Sequence, residues 1–150
     1  MRLQLTKKTD QALRAALVLG HAGGRVKGSA LADQVGTSAG WLPQIVQPLV
    51  GQGWVSSTTG PNGGYMLEVE LGHLDVLRLI EAVEGSTDTG HCVLEDRACG
   101  SAPEPCALHE PWLRARASLM RELESISLAE LALPTGPFSI RDRSHGKEQP

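Results

Sequence analysis

Hydrophobic positions in the first third of the chain recur at helical spacing. Ala12, Leu13, Ala16, Leu17 and Leu19 form an apolar stripe behind Thr6, whose hydroxyl suits a helix N-cap. His21-Ala22-Gly23-Gly24 ends that run. A second short helix is predicted from near Ser29, with Leu31, Ala32 and Val35 facing inward. Gly36-Thr37-Ser38 makes a tight turn. A third helix follows, with Trp41, Leu42, Ile45, Val46 and Leu49 on one side, closed by Gly51 and Gly53. Pro43 and Pro48 fall inside it. Each lacks an N–H, so this helix is expected to begin nearer Leu42 or to bend. The pattern then changes to strand. Trp54-Val55-Ser56-Ser57 and Tyr65-Met66-Leu67 flank a Gly/Pro/Asn turn at residues 58–64.

Two short-linked helices, an earlier helix and a two-stranded hairpin give a mainly α winged helix-turn-helix. The plainer alternative is a small helical domain with an unrelated hairpin. Downstream, Leu74 to Val83 reads as a helix stopped by Glu84-Gly85. Residues 86–111 show no periodicity and are rich in Gly, Pro, Asp, Glu and Thr, as a functional loop would be. Trp112, Ala115, Leu119, Leu123 and Ile126 then recur at helical spacing, widened by Leu113, Ala117 and Met120. A long amphipathic helix beside so small a head is expected to pack against its own copy in a homodimer. Ser127-Leu128-Ala129-Glu130 is a capping box opening a last short helix. The expected organisation is a DNA-binding head at 1–85, a cysteine loop at 86–111, a dimerisation helix with its C-terminal cap at 112–137, and a flexible tail at 138–150.

Charge divides at the end of the predicted wing, near residue 66. The formal net charge is −3. Residues 1–66 carry six cations against two anions, and residues 67–150 carry eight cations against fifteen anions. The N-terminal part, residues 1–66, can meet a polyanion and the remainder repels one. No apolar run approaches the roughly 20 residues of a membrane span. The first residues lack the apolar core of a signal peptide, which points to a cytoplasmic protein.

All three cysteines lie in the loop, as Cys92, Cys99 and Cys106 with six residues between neighbours, and two residues separate the last from His109. Soft thiolates on a Gly- and Pro-bearing loop suit zinc or an iron–sulfur cluster. The C-x2-4-C pairs usual for zinc are missing. Three thiolates leave room for a different fourth ligand. Reactive thiols that form transient disulfides are the alternative. An enzyme using Cys106 as nucleophile and His109 as base has no legible orienting residue, so no enzymatic activity is expected.

The stretch Leu49 to Leu67, with its Gly60-Pro61-Asn62-Gly63-Gly64-Tyr65 wing, resembles the Rrf2 family of bacterial winged-helix regulators. So do the opening Leu5 to Arg14, the cysteine loop, the helix after it and Ser127 to Leu131, about residues 1–137 in all. The resemblance is to the iron–sulfur members, of IscR and NsrR type. It implies a homodimeric transcriptional repressor on a double-stranded, pseudo-palindromic DNA operator. It further implies a two-iron or four-iron cluster on Cys92, Cys99 and Cys106, whose response to nitric oxide, redox or cluster supply sets operator affinity. The IscR type implies His109 as fourth ligand, and the NsrR type implies Asp10 from the other subunit. A zinc-dependent or thiol-redox regulator with the same head is the alternative. The chain departs from the family in its six-and-six cysteine spacing, where five and five is more usual. It also departs in Pro43, where the IscR type has a base-reading acid, and in Thr59, where many relatives have a minor-groove arginine.

On a winged-helix frame the start of the third helix enters the major groove. Ser38 and Gln44 then lie nearest base edges, Gln44 being suited to adenine and Ser38 equally to a cap. Lys7, Lys8 and Lys27 are expected on phosphates, and Asn62 with the Gly63-Gly64 backbone, beside Thr59, near the minor groove. Trp41 is expected chiefly in the core, with contact to the DNA backbone as the alternative.

Overall fold

The computed structural model describes residues 4–87, 90–94, 97–99 and 105–132. Thr6 opens the first helix, α1 (Lys7–Ala22), by accepting from the backbone N–H of Thr9, and Gly23 closes it with φ near +60°. Leu13, Ala16, Leu17 and Leu19 are buried along α1, which packs against α2 (Gly28–Val35), α3 (Leu42–Gly51) and α4 (Val76–Glu84). It is the central rod of the head.

Helix α3 starts at Leu42, with Pro43 in its first turn, where a missing N–H costs nothing. It runs on through Pro48, giving up that residue's bond to the Gln44 carbonyl. Leu42, Ile45, Val46 and Leu49 are buried as the pattern requires. Trp41 is not, being 61% exposed. It stands at the N-cap, outside the helical repeat, so its side chain leaves the stripe on which the periodicity placed it.

Strands β1 (Val55–Thr58) and β2 (Gly64–Leu67) pair antiparallel with Val55 opposite Leu67 and Thr58 opposite Gly64. The pair is shifted one residue from the sequence reading at its ends, because Trp54 is buried in the core before the strand begins. Val26, between α1 and α2, bridges Tyr65 and fixes the wing to the head.

Asp75 caps α4 by accepting from Arg78 N–H at 2.8 Å, so the helix starts later than Leu74, which is buried in extended backbone just before it. A 3-10 turn at Leu71–His73, which has no periodic signature, precedes them. Helix α5 (His109–Ser125) begins three residues before the expected Trp112 and is about 25 Å long. None of its residues is buried, and Trp112, Leu113 and Leu119 are exposed. The chain then returns to the head. Val76 N–H donates to Ile126 O at 3.0 Å and Leu128 N–H to Leu74 O at 2.7 Å. Helix α6 (Leu128–Leu131) carries the expected capping box between Ser127 and Glu130, and Leu128 is fully buried in the same core as α1. The fold is thus mainly helical with a two-stranded antiparallel wing. The tail at 138–150 lies outside the described residues.

Candidate nucleic-acid interface and cysteine site

The first turn of α1 and the α2–α3 turn enclose a cleft of about 750 Å³. Lys7, Lys8, Ser38 and Gln44, expected to face nucleic acid, line it together with Trp41, for which that contact was the alternative to a place in the core. Gln11 also lines it, and its side-chain amide donates to Gly36 O at 3.2 Å, which fixes the turn against α1. Ser38 accepts from Trp41 N–H through its hydroxyl at 3.3 Å, so it organises the turn that presents Trp41. Nothing in the periodicity places Gln11 here.

A second hollow, of about 320 Å³, lies at the wing and is lined by Lys27, Thr59, Gly63 and Gly64 among others. Asn62 is exposed at the tip. Gly64 has φ near +145°, and a Cβ there would sit 2.2 Å from Val26 O. The glycine is therefore required by the close approach of the wing to the Val26 segment, whatever the DNA demands. Arg25, which the sequence reading counted only as charge, donates from Nη1 to Thr58 Oγ1 at 2.8 Å and to Gly64 O at 3.3 Å.

The three cysteines converge. Cys92 N–H donates to Arg97 O at 2.8 Å and Cys99 N–H to Gly90 O at 3.3 Å, around a His91–Ala98 bridge. This miniature hairpin brings two thiols together, and the third arrives from the segment that leads into α5. All three sulfurs lie within 4.8 Å of one another, with Cys99 and Cys106 Sγ at 3.5 Å. Cys99 is buried and the other two are half-buried. The Cys106 thiol is held above its ordinary pKa, first by burial and then by hydrogen bonding with the Cys92 and Cys99 thiols, since all three favour the neutral form. A soft metal centre reverses that preference by binding the thiolates, so the donor set fits such a group.

His109 and Asp10 are outside this sulfur group. His109 is half-buried in the first turn of α5, with its N–H on Cys106 O at 3.0 Å. Asp10 pairs with Arg14 of its own helix at 3.0 Å.

Two carboxylates of α4 tie these sites to the core, and neither was legible in the sequence. Glu84 accepts from the Thr9 hydroxyl and from Thr6 N–H at 3.1 Å, next to Lys7 and Lys8. Glu81 accepts from Thr87 N–H at 3.1 Å and Thr87 Oγ1 at 2.7 Å, five residues before Cys92. Both carboxyls are held below their ordinary pKa, chiefly by these hydroxyl bonds.

Comparison with known proteins agrees with this arrangement. A family model described as Rrf2, iron-dependent transcriptional regulator, matches residues 5–133. The chain is 31% identical over 150 residues to the HTH-type transcriptional regulator IscR of Citrobacter koseri, covering 99% of this chain and 91% of that one. Its structure resembles CymR, the global cysteine regulator of B. subtilis, with a TM-score of 0.71 and 26% identity over 87% of this chain and 97% of that one. It also resembles T. potens IscR in fold, with a TM-score of 0.68 and 24% identity over 86% and 85% of the two chains. These named relatives are transcriptional regulators rather than enzymes.

Proposed function

This chain belongs to the Rrf2 family of transcriptional regulators, and from that premise we propose that it is a homodimeric repressor whose operator affinity is set by an iron–sulfur cluster on Cys92, Cys99 and Cys106. The observation that carries the reading is the convergence of three sulfurs within 4.8 Å on a loop rooted between α4 and α5. When bound, a two-iron or four-iron cluster supplies a centre sensitive to redox state and nitric oxide. His109, which begins α5 beside Cys106, is the proposed fourth ligand, and Asp10 of the partner subunit is the alternative.

The chain's own residues do the rest. The three thiolates draw the paired segments 90–92 and 97–99 onto the root of α5. Helix α5 is unburied along its length, which supports its pairing with a second copy in the cytoplasm. Its far end is stitched to α4 and the core through Ile126 and Leu128. A change in the loop therefore alters the placement of two heads on one duplex. In each head α3 enters the major groove with Ser38 and Gln44 forward, while Lys7, Lys8 and Trp41 hold the backbone beside it. The wing, with Thr59, Asn62 and the Gly63-Gly64 backbone, follows the adjacent minor groove.

A second reading has its own observation. The 3.5 Å between Cys99 and Cys106 Sγ, together with the likeness to CymR, supports a thiol-redox or zinc regulator on the same head. Anaerobic purification followed by absorbance and by iron, sulfide and zinc analysis separates the two. The cluster reading expects visible charge-transfer bands with iron and sulfide. A colourless protein, zinc-loaded or metal-free, overturns it.

A further inference from the structure

We infer that Arg25 is a phosphate-binding residue, forming with Lys27 a cationic pair at the root of the wing that holds the DNA backbone. The inference rests on the DNA-binding reading above.

The backbone sets the pair. Val26 exchanges two hydrogen bonds with Tyr65, N–H to O at 2.8 Å each way, so the chain is extended there. Successive side chains of extended backbone point to opposite faces. Val26 packs against the core, while Arg25 and Lys27, one residue to either side, are exposed. The two cations therefore leave the chain on the same outward face.

The wing then fixes the arginine. Nη1 donates to Thr58 Oγ1 and Gly64 O, and both residues form the wall of the hollow that Lys27 also lines. A guanidinium carries five N–H donors in one plane, and the wing engages those of a single terminal nitrogen. The rest of the fork is presented beside Lys27 with its long side chain already ordered, so binding loses little rotamer freedom. Among the described residues no carboxylate pairs with Arg25 or Lys27, and no acid lines the hollow. A brace for the wing needs only the neutral contacts. A cationic fork without a carboxylate partner, next to a second cation, suits a polyanion.

The test measures affinity against salt for a duplex selected from a random-sequence pool by the wild-type protein. Arg25→Ala is expected to lower affinity about tenfold and to reduce the slope of log K against log salt by about one. Arg25→Lys keeps the slope, because it keeps the charge. Arg25→Gln reduces the slope by the same amount while keeping an N–H donor for Thr58, which covers the case in which Arg25→Ala unsettles the wing. Wild-type slopes in both Arg25→Ala and Arg25→Gln would make Arg25 a structural brace and overturn the inference. If the wild-type protein selects no duplex, the DNA-binding reading fails first and the inference falls with it.

Discussion

Thr9, fully buried in the first turn of α1, donates its hydroxyl to the Glu84 carboxylate in the last turn of α4. The bond joins the helix that carries Lys7 and Lys8 to the element from which the cysteine loop departs. Thr9→Val removes it and leaves Glu84 with Thr6 as its partner. The expected loss is about 1 kcal/mol, because the carboxylate is exposed and water screens the bond. Thermal unfolding should show it as a fall in Tm of several degrees.

The same bond sets a pH dependence. Thr9 first, then Thr6, hold the Glu84 carboxyl below its ordinary pKa against the opposing effect of burial. A depressed folded pKa means that the unfolded chain binds the proton first. The contribution is complete above the unfolded carboxyl value of about 4.3. It is lost as pH falls through the lower folded value. Melting curves of Glu84→Gln should therefore lie below wild type at neutral pH and converge on it in acid. A constant gap down to acid pH would show that the carboxylate's charge is not what the site uses.

Much of this was legible in advance where the signal is local. Thr6 as N-cap, the Ser127–Glu130 box and the α3 stripe each depend on residues within one or two turns. What the sequence could not show is long-range. Glu84 meets Thr6 across 78 positions, and no pattern marks that partner. Leu128 reads as part of a terminal cap, yet it fills the head's core because the chain doubles back at Ile126. The cysteine spacing announced a thiol site, but the hairpin that gathers Cys92 and Cys99 rests on backbone bonds between residues of no particular type. Trp41 was misplaced for the opposite reason, since an apolar residue next to a stripe need not be on it.

Gly64→Ala should cost about 2–3 kcal/mol, because the added Cβ meets Val26 O in a backbone region that L side chains avoid. DNA affinity should fall with it as the wing shifts. Gly24→Ala, where nothing lies within 4 Å, should leave both near wild type.

Trp41 and Gln44 should separate stability from recognition. Both are exposed in the cleft, so replacing either with Ala should change stability by less than about 0.5 kcal/mol. Gln44→Ala should lose about 1–3 kcal/mol of discrimination at one base pair. Trp41→Ala should weaken all sequences alike, as a backbone contact does. Binding to a panel of single-base operator variants distinguishes these outcomes from a packing role, which would lower Tm instead.

Leu119 lies on the unburied face of α5. Leu119→Glu should convert the proposed dimer to monomers in sedimentation equilibrium while leaving the head's thermal transition in place. A variant that stays dimeric would move the interface off this helix.

In the proposed function the cysteine site controls the head. Operator affinity of the anaerobically purified protein, followed as the cluster is removed by nitric oxide or chelation and compared with Cys99→Ala, tests it most directly. Wild-type affinity should change at least tenfold in step with loss of the visible spectrum, and Cys99→Ala should be colourless and fixed at the cluster-free affinity. An affinity that does not move while the spectrum disappears, or a Cys99→Ala protein that keeps both the spectrum and the response, would contradict it.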